Sequence, residues 1–198
     1  MNIEIKKLNS KLIDDYISFF QNIRITDDPE CGKCHCLFFH TEQKAKEWIK
    51  RTSDQNKETA INSIKEGILS GFLAYEGIKP IAWCNVNSKE KFNFNKSRFY
   101  NNLKKNNQII SIVCFYVLKE FRKKGITTQL LKKIIEYYKN SHYKCIEAYP
   151  SINESDDIKN YHGPLDLFLK MGFNIIKHVE ETDDFGDNEK YAIVRYNI

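Results

Sequence analysis

The run from Ile109 to Leu118 constrains the fold more than any other part of this 198-residue chain. It is apolar except for Ser111 and rich in Ile and Val. Side chains alternate across a strand, so a stretch apolar on both faces must be covered on both, as in the middle of a sheet. At ten residues it is about half the length that a membrane-spanning helix needs. It runs directly into a basic loop, Lys119 to Lys124, then Gly125, then a segment with Leu130, Leu131, Ile134 and Ile135 at helical spacing. The segment predicts a helix over about Gly125 to Asn140.

The other elements alternate around that core. Ile3, Ile5 and Leu8 mark a short first strand, and Leu12, Tyr16, Phe19 and Phe20 a helix over about residues 10–22. Asp27 to Gly32 reads as an acidic turn and loop. A polar helical stretch follows from Thr41 to Glu66, broken near Ser53-Asp54. Phe72–Tyr75 and Pro80–Val86 flank Glu76-Gly77-Ile78-Lys79 as a hairpin. Lys89 to Asn107 reads as a solvated loop with a short helix around Phe99 and Leu103. Tyr143–Tyr149 predicts a strand, Pro164–Met171 a helix ended by Gly172, and Phe173–His178 and Lys190–Tyr196 two last strands. This order implies an α/β domain with a mixed sheet.

Composition narrows the function. The 31 basic and 26 acidic residues leave +5, mildly basic and unlike the concentrated charge of a nucleic-acid module. The N-terminus lacks the apolar core of a signal peptide. Six cysteines without a secretion signal are therefore expected as reduced thiols in the cytoplasm, with neither a membrane nor a nucleic acid as partner.

The strand-to-helix junction carries the chemistry. It leaves the first N–H groups of the helix unpaired, with the positive end of the helix dipole behind them, which makes an anion site. Arg122, Lys123 and Lys124 add charge, and Gly125 lets backbone approach a phosphate closely. Neither G-x-x-x-x-G-K-[ST] nor G-x-G-x-x-G occurs in the chain.

Arg122-Lys123-Lys124-Gly125-Ile126-Thr127 resembles the Q/R-x-x-G-x-G/A acetyl-CoA signature of the GNAT superfamily of N-acetyltransferases. Phe115-x-Val117 before it, Leu130-Leu131 after it, the strand ending Glu147-Ala148-Tyr149 and the helix end Leu167 to Phe173 are similar to the same family in the same order. The resemblance covers residues 70–178 well. It implies one domain over residues 1–198, with a mixed, mostly antiparallel sheet of about seven strands flanked by helices. It also implies acetyl transfer from acetyl-CoA to an amine, a small molecule before a protein N-terminus or lysine, with no metal. A non-catalytic acyl-CoA sensor is the contrasting reading.

By resemblance, pantetheine would pair with Phe115, Tyr116 and Val117, while Arg122, Lys123, Lys124, Gly125, Ile126, Thr127 and Thr128 would hold the pyrophosphate. Thr127 departs from the family's Gly or Ala, and Phe168 stands where many members carry a proton-donating Tyr. Tyr161 is a substitute acid, or a tyrosine of core or surface. Glu147 is a candidate general base, or a solvent-facing or salt-bridged strand residue. Asp27, Asp28 and Glu30 form an acidic loop able to attract a cationic amine, or simply shape a turn.

Cys31-x-x-Cys34-x-Cys36, with His35 and His40 beside it, has one half of a zinc pattern and no second pair. Cys34 or Cys36 near Cys84 and Cys114 would instead line an acceptor pocket with thiols. Trp83 and Trp48 are expected as core or pocket wall, and His162 as a loop or acceptor-site residue. The sequence leaves monomer and homodimer both open.

Overall fold

In the computed structural model, which describes residues 2–41, 45–93, 106–152, 161–182 and 188–198, the apolar run lies in the middle of a seven-stranded sheet. The strands are β1 (Ile3–Lys7), β2 (Gly71–Glu76), β3 (Lys79–Ser88), β4 (Ile109–Val117), β5 (Cys145–Ala148), β6 (Asn174–Thr182) and β7 (Asn188–Asn197). The helices are α1 (Ile13–Thr26), α2 (Pro29–Cys34), α3 (Ala45–Trp48), α4 (Ser53–Lys65), α5 (Ile126–Tyr138) and α6 (Leu165–Lys170). The order across the sheet is β1-β2-β3-β4-β5-β7-β6, antiparallel throughout except between β4 and β5. A parallel pair needs a long crossover, and α5 supplies it.

Helices cover both faces, which is why β4 is buried along nearly its whole length. On one face α1 buries Tyr16, Phe19, Phe20 and Ile23, with Tyr16 edge-on to Trp83 at 5.0 Å and Phe19 to Tyr116 at 6.4 Å. On the other face α5 buries Ile126, Leu130, Leu131, Ile134 and Tyr138. There Lys7 reaches the Tyr138 hydroxyl at 3.2 Å, and Tyr137 packs on Phe72 at 5.3 Å. The break near Ser53 comes from a capping box: Thr52 accepts the Gln55 N–H while the Gln55 side chain accepts the Thr52 N–H.

Two expectations need correction. Asp27 to Gly32 is not an irregular loop, because α2 begins at Pro29. Asp28 accepts the N–H groups of Glu30 and Cys31 at 3.0 Å, Pro29 occupies the first turn and Glu30 adds an acid there. These are strong helix-start signals. Lys89, expected in solvent, is buried, with its ammonium against the Glu147 carboxylate. The expected helix around Phe99 and Leu103 lies outside the described residues. Among the described residues no helix is long and apolar enough to cross a membrane.

Candidate active site

β4 and β5 pair only from Ile109–Cys145 to Ile112–Ala148. Beyond that point β4 is bulged: Asn85 faces Cys114 while Val86 faces Ile112, so Val113 is the extra residue. The chain after β5 turns away and follows β7, with Ala192 N–H donating to Pro150 O and Ile152 N–H to Lys190 O, both at 2.9 Å. The two central strands therefore part. A strap, residues 161–164, crosses the gap: Phe115 N–H donates to Tyr161 O at 2.6 Å, the His162 ring bonds to Val113 backbone, and Pro164 bridges to Ser151.

Above the parting, a tight turn at Lys119–Phe121 leads to Arg122, then Lys123 at φ 59° and Gly125 at φ 76°. Gly125 takes the left-handed backbone that starts α5, and no side chain caps the helix. The first α5 backbone bond to close runs from Gln129 N–H to Gly125 O at 3.1 Å. The N–H groups of Ile126, Thr127 and Thr128 precede it, and in a helix these first donors have no partner within the helix. Lys123 and Lys124 are exposed beside them. This donor set suits a polyanion such as the pyrophosphate of coenzyme A. Arg122 is engaged elsewhere: its Nε donates to Val117 O at 3.0 Å and its other end pairs with Asp27. Its guanidinium also stacks over Tyr116 at 5.4 Å. The Arg122 side chain thus holds the loop to β4 and to the end of α1.

Between parting and loop lies a cleft of about 180 Å³. β4 contributes Phe115, Tyr116 and Val117; the loop and α5 contribute Arg122 and Thr127; the strap contributes Tyr161, Gly163 and Pro164. Tyr161 is 38% exposed, and burial of its ring environment, then the nearby Cys31, Cys114, Cys34 and Asp28, push its phenol pKa above the ordinary value. The phenol therefore stays protonated at neutral pH. Phe168 is wholly buried against Phe173 at 5.2 Å and Phe115 at 6.1 Å, so this position is core.

The other expected site residues disperse. Glu147 does not face the cleft: it is 0% exposed, with Lys89 on one oxygen and Arg195 at 2.7 Å on the other. Tyr149 donates to it at 2.7 Å and in turn meets Ser111 at 2.9 Å. Burial opposes its charge, but Lys89, Tyr149 and Arg195 prevail and hold its pKa below the usual carboxylate value. A carboxylate so neutralised is a structural ion, not a base. Asp28 caps α2, and Glu30 lies on the surface with Lys33 at 3.2 Å. Trp83 is core beneath Tyr16. Cys36 lies beside Cys114, and Cys84 is influenced by both Cys36 and Lys7; none of these thiols lines the cleft. All six cysteines are free, and among the described residues no group of three or more His, Cys, Asp or Glu is arranged to hold a metal.

Sequence reasoning missed the strap, and it missed the Asp27–Arg122 pair, which joins residues 95 positions apart and has no local signature. It also missed α2, although Asp28-Pro29-Glu30 carries one.

The comparisons agree with this architecture. The acetyltransferase (GNAT) family profile matches residues 36–173. No curated protein matches the chain. An acetyltransferase of the GNAT family from Streptococcus pneumoniae superposes with TM-score 0.59 at 14% identity, covering 100% of both chains. A ribosomal-protein-alanine N-acetyltransferase from Brucella melitensis gives 0.59 at 12%, covering 98% of this chain and 99% of that one. A putative acetyltransferase from Salmonella typhimurium, solved with its cofactor acetyl-CoA, gives 0.57 at 9%, covering 100% and 94%. At these identities the likeness speaks for the fold, while the profile covers well over half of the sequence. With parted central strands, an uncapped helix start and that profile all in register, the chain belongs to the GNAT family of acetyl-CoA-dependent acetyltransferases.

Proposed function

We propose that the protein moves an acetyl group from acetyl-CoA to a primary amine of a small molecule, within one acyltransferase domain spanning residues 1–198. The observation that carries this reading is the parting of β4 from β5 beside the uncapped start of α5. Acetyl-CoA supplies the activated acetyl thioester. Ile126, Thr127 and Thr128 N–H, the Thr127 hydroxyl and the exposed Lys123 and Lys124 hold the phosphates, with Gly125 giving close approach. Arg122 keeps that loop in place through Val117 O and Asp27.

Phe115 to Val117 offer backbone to the pantetheine, and a strand N–H aimed at a developing oxyanion stabilises the transition state. The Phe115 N–H is bonded to Tyr161 O, so that bond opens before the donor serves a ligand. Tyr161 gives a proton to the departing thiolate. Among the described residues no carboxylate lines the cleft, so the amine sheds its proton to water and attacks as the free base. A cleft of about 180 Å³ has room for a small amine. The protein works in the cytoplasm as a monomer or homodimer.

The deciding experiment is an amine panel with detection of released CoA thiol. Release with small primary amines is the expected result. Release only with peptides moves the acceptor class to proteins. Phe168, without a hydroxyl, favours a second reading as an acyl-CoA sensor. Thermal stabilisation by acetyl-CoA with no thiol release from any amine or peptide establishes that reading instead.

A further inference from the structure

A second cluster of reactive groups lies beneath α2, on the face of β4 that α1 covers. His35 and Cys36 both adopt left-handed backbone, φ 46° and 51°, and this turn carries the Cys36 side chain inward to 7% exposure. The Asn85 side-chain amide donates to the Cys36 sulfur at 3.3 Å and to the Cys36 carbonyl at 3.0 Å. The indole N–H of Trp83, wholly buried, makes no hydrogen bond of ordinary length and borders the same sulfur. Asn85 and Cys114 are cross-strand partners, so their side chains share a face about 5 Å apart. The Cys114 thiol therefore adjoins Cys36, and unlike it is partly exposed.

This arrangement makes the two thiols unequal. Burial disfavours a Cys36 thiolate, but the Cys114 thiol, the Trp83 indole and the Asn85 amide together outweigh it and lower the pKa. Its neighbours go the other way: burial pushes Cys34 up to about 12, and Cys114 is raised first by its bond to Cys36 and then by burial. Cys36 is therefore the more acidic of the two thiols and Cys114 the less acidic.

The geometry points to Cys36 and Cys114 as a peroxide-sensitive thiol pair whose disulfide ties the turn after α2 to β4. The Cys36 thiolate attacks one oxygen of hydrogen peroxide; the O–O bond breaks, leaving a Cys36 sulfenic acid and hydroxide. The Cys114 sulfur then attacks the Cys36 sulfur; the S–S bond forms, the S–O bond breaks, and the Cys114 proton leaves with that oxygen as water. The hydroxide takes up the proton Cys36 had shed. The two sulfurs lose two electrons and the peroxide gains them, giving one disulfide and two waters. Cys114 adjoins both the Val113 bulge and Phe115, so the bond fixes the strand where its N–H faces the cleft. That consequence, though not the bond, rests on the function proposed above.

The test uses the full chain, reduced and then titrated with hydrogen peroxide, with peptide mass mapping after alkylation. The expected product is two hydrogens lighter, carries a Cys36–Cys114 cross-link and reverts with dithiothreitol. C114S should stop at a Cys36 sulfenic acid that dimedone traps. A cross-link from Cys36 to Cys34, first oxidation at Cys31 or Cys34, or no cross-link at all overturns the pair. If C114S fails to fold by circular dichroism, the wild-type map decides alone. The cross-linked protein should bind acetyl-CoA about tenfold or more weakly than the reduced protein. Equal affinity overturns the lock and leaves the bond standing. If the reduced protein binds no acetyl-CoA either, the acetyltransferase reading fails, while the mass map still judges the thiol pair.

Discussion

Glu147 has no exposure, and the Lys89 and Arg195 cations need its charge. Removing one member of a buried ion group leaves the others uncompensated, so E147Q should lose about 3–5 kcal/mol of stability, read from the urea midpoint. Activity per folded molecule should stay within about twofold, since water takes the amine proton. A complete loss of activity in a fully folded E147Q would restore Glu147 as the base. The folded-state pKa of Glu147 is depressed, so its stabilisation is present above the usual carboxylate value and is lost as pH falls below it. Tyr161 makes the opposite prediction. Y161F should lower kcat about 100-fold with the KM for acetyl-CoA unchanged and the fold intact, as expected for a proton donor to the leaving group. The sequence points to both residues, Glu147 as an acid on a strand and Tyr161 near the missing family tyrosine. It could not say which was neutralised, because Lys89 and Arg195 lie 58 and 48 positions away.

At the scale of elements, the strap is held by Phe115 N–H on one side and Ser151 on the other. Gly163 gives it a left-handed turn at φ 79°, and a Cβ there would meet the Phe168 ring at 3.3 Å. G163A combines backbone strain with that contact and should cost about 1–3 kcal/mol. It should also speed amide exchange at Phe115, measured by hydrogen–deuterium exchange; unchanged protection would show that the strap does not depend on this glycine. The phosphate loop behaves differently, because its cations are exposed. Replacing Lys123 and Lys124 by Ala should weaken acetyl-CoA binding about 10-fold and flatten its dependence on salt, with little change in thermal midpoint. The loop and helix are local in the sequence, with Arg122, Gly125 and Leu130 within nine positions, and so were legible there. The strap joins β4 through the Tyr161 carbonyl and the His162 ring, long-range contacts that no local pattern encodes.

Across the whole molecule, burial sets the response to acid. His162 lies in the strap with its ring turned toward β4, and burial lowers its pKa to about 4, against a backbone bond to Val113 that raises it. His35 shifts in the same direction, again through burial first. The unfolded chain takes up these protons near pH 6.5 and the folded chain only lower, so stability falls as pH drops from 6.5 toward 4. The His162 share is at most about 3 kcal/mol. H162Q should remove part of the acid sensitivity of the thermal midpoint between pH 6.5 and 4, and an unchanged profile would place that sensitivity elsewhere.

The sequence by itself determined a mixed sheet around a central apolar strand, and a glycine-led helix start directly after it. Both follow from residues close together in the chain: hydrophobic periodicity, a glycine able to turn left-handed, and free N–H groups that every helix start exposes. Tertiary structure alone decided which acids are free and which are paired, that Phe168 is core and Tyr161 faces the cleft, and that Cys36 meets Cys114. Those outcomes depend on desolvation and on partners brought together from as far as 95 positions away, such as Asp27 for Arg122. Charge, acidity and reactivity are properties of that company.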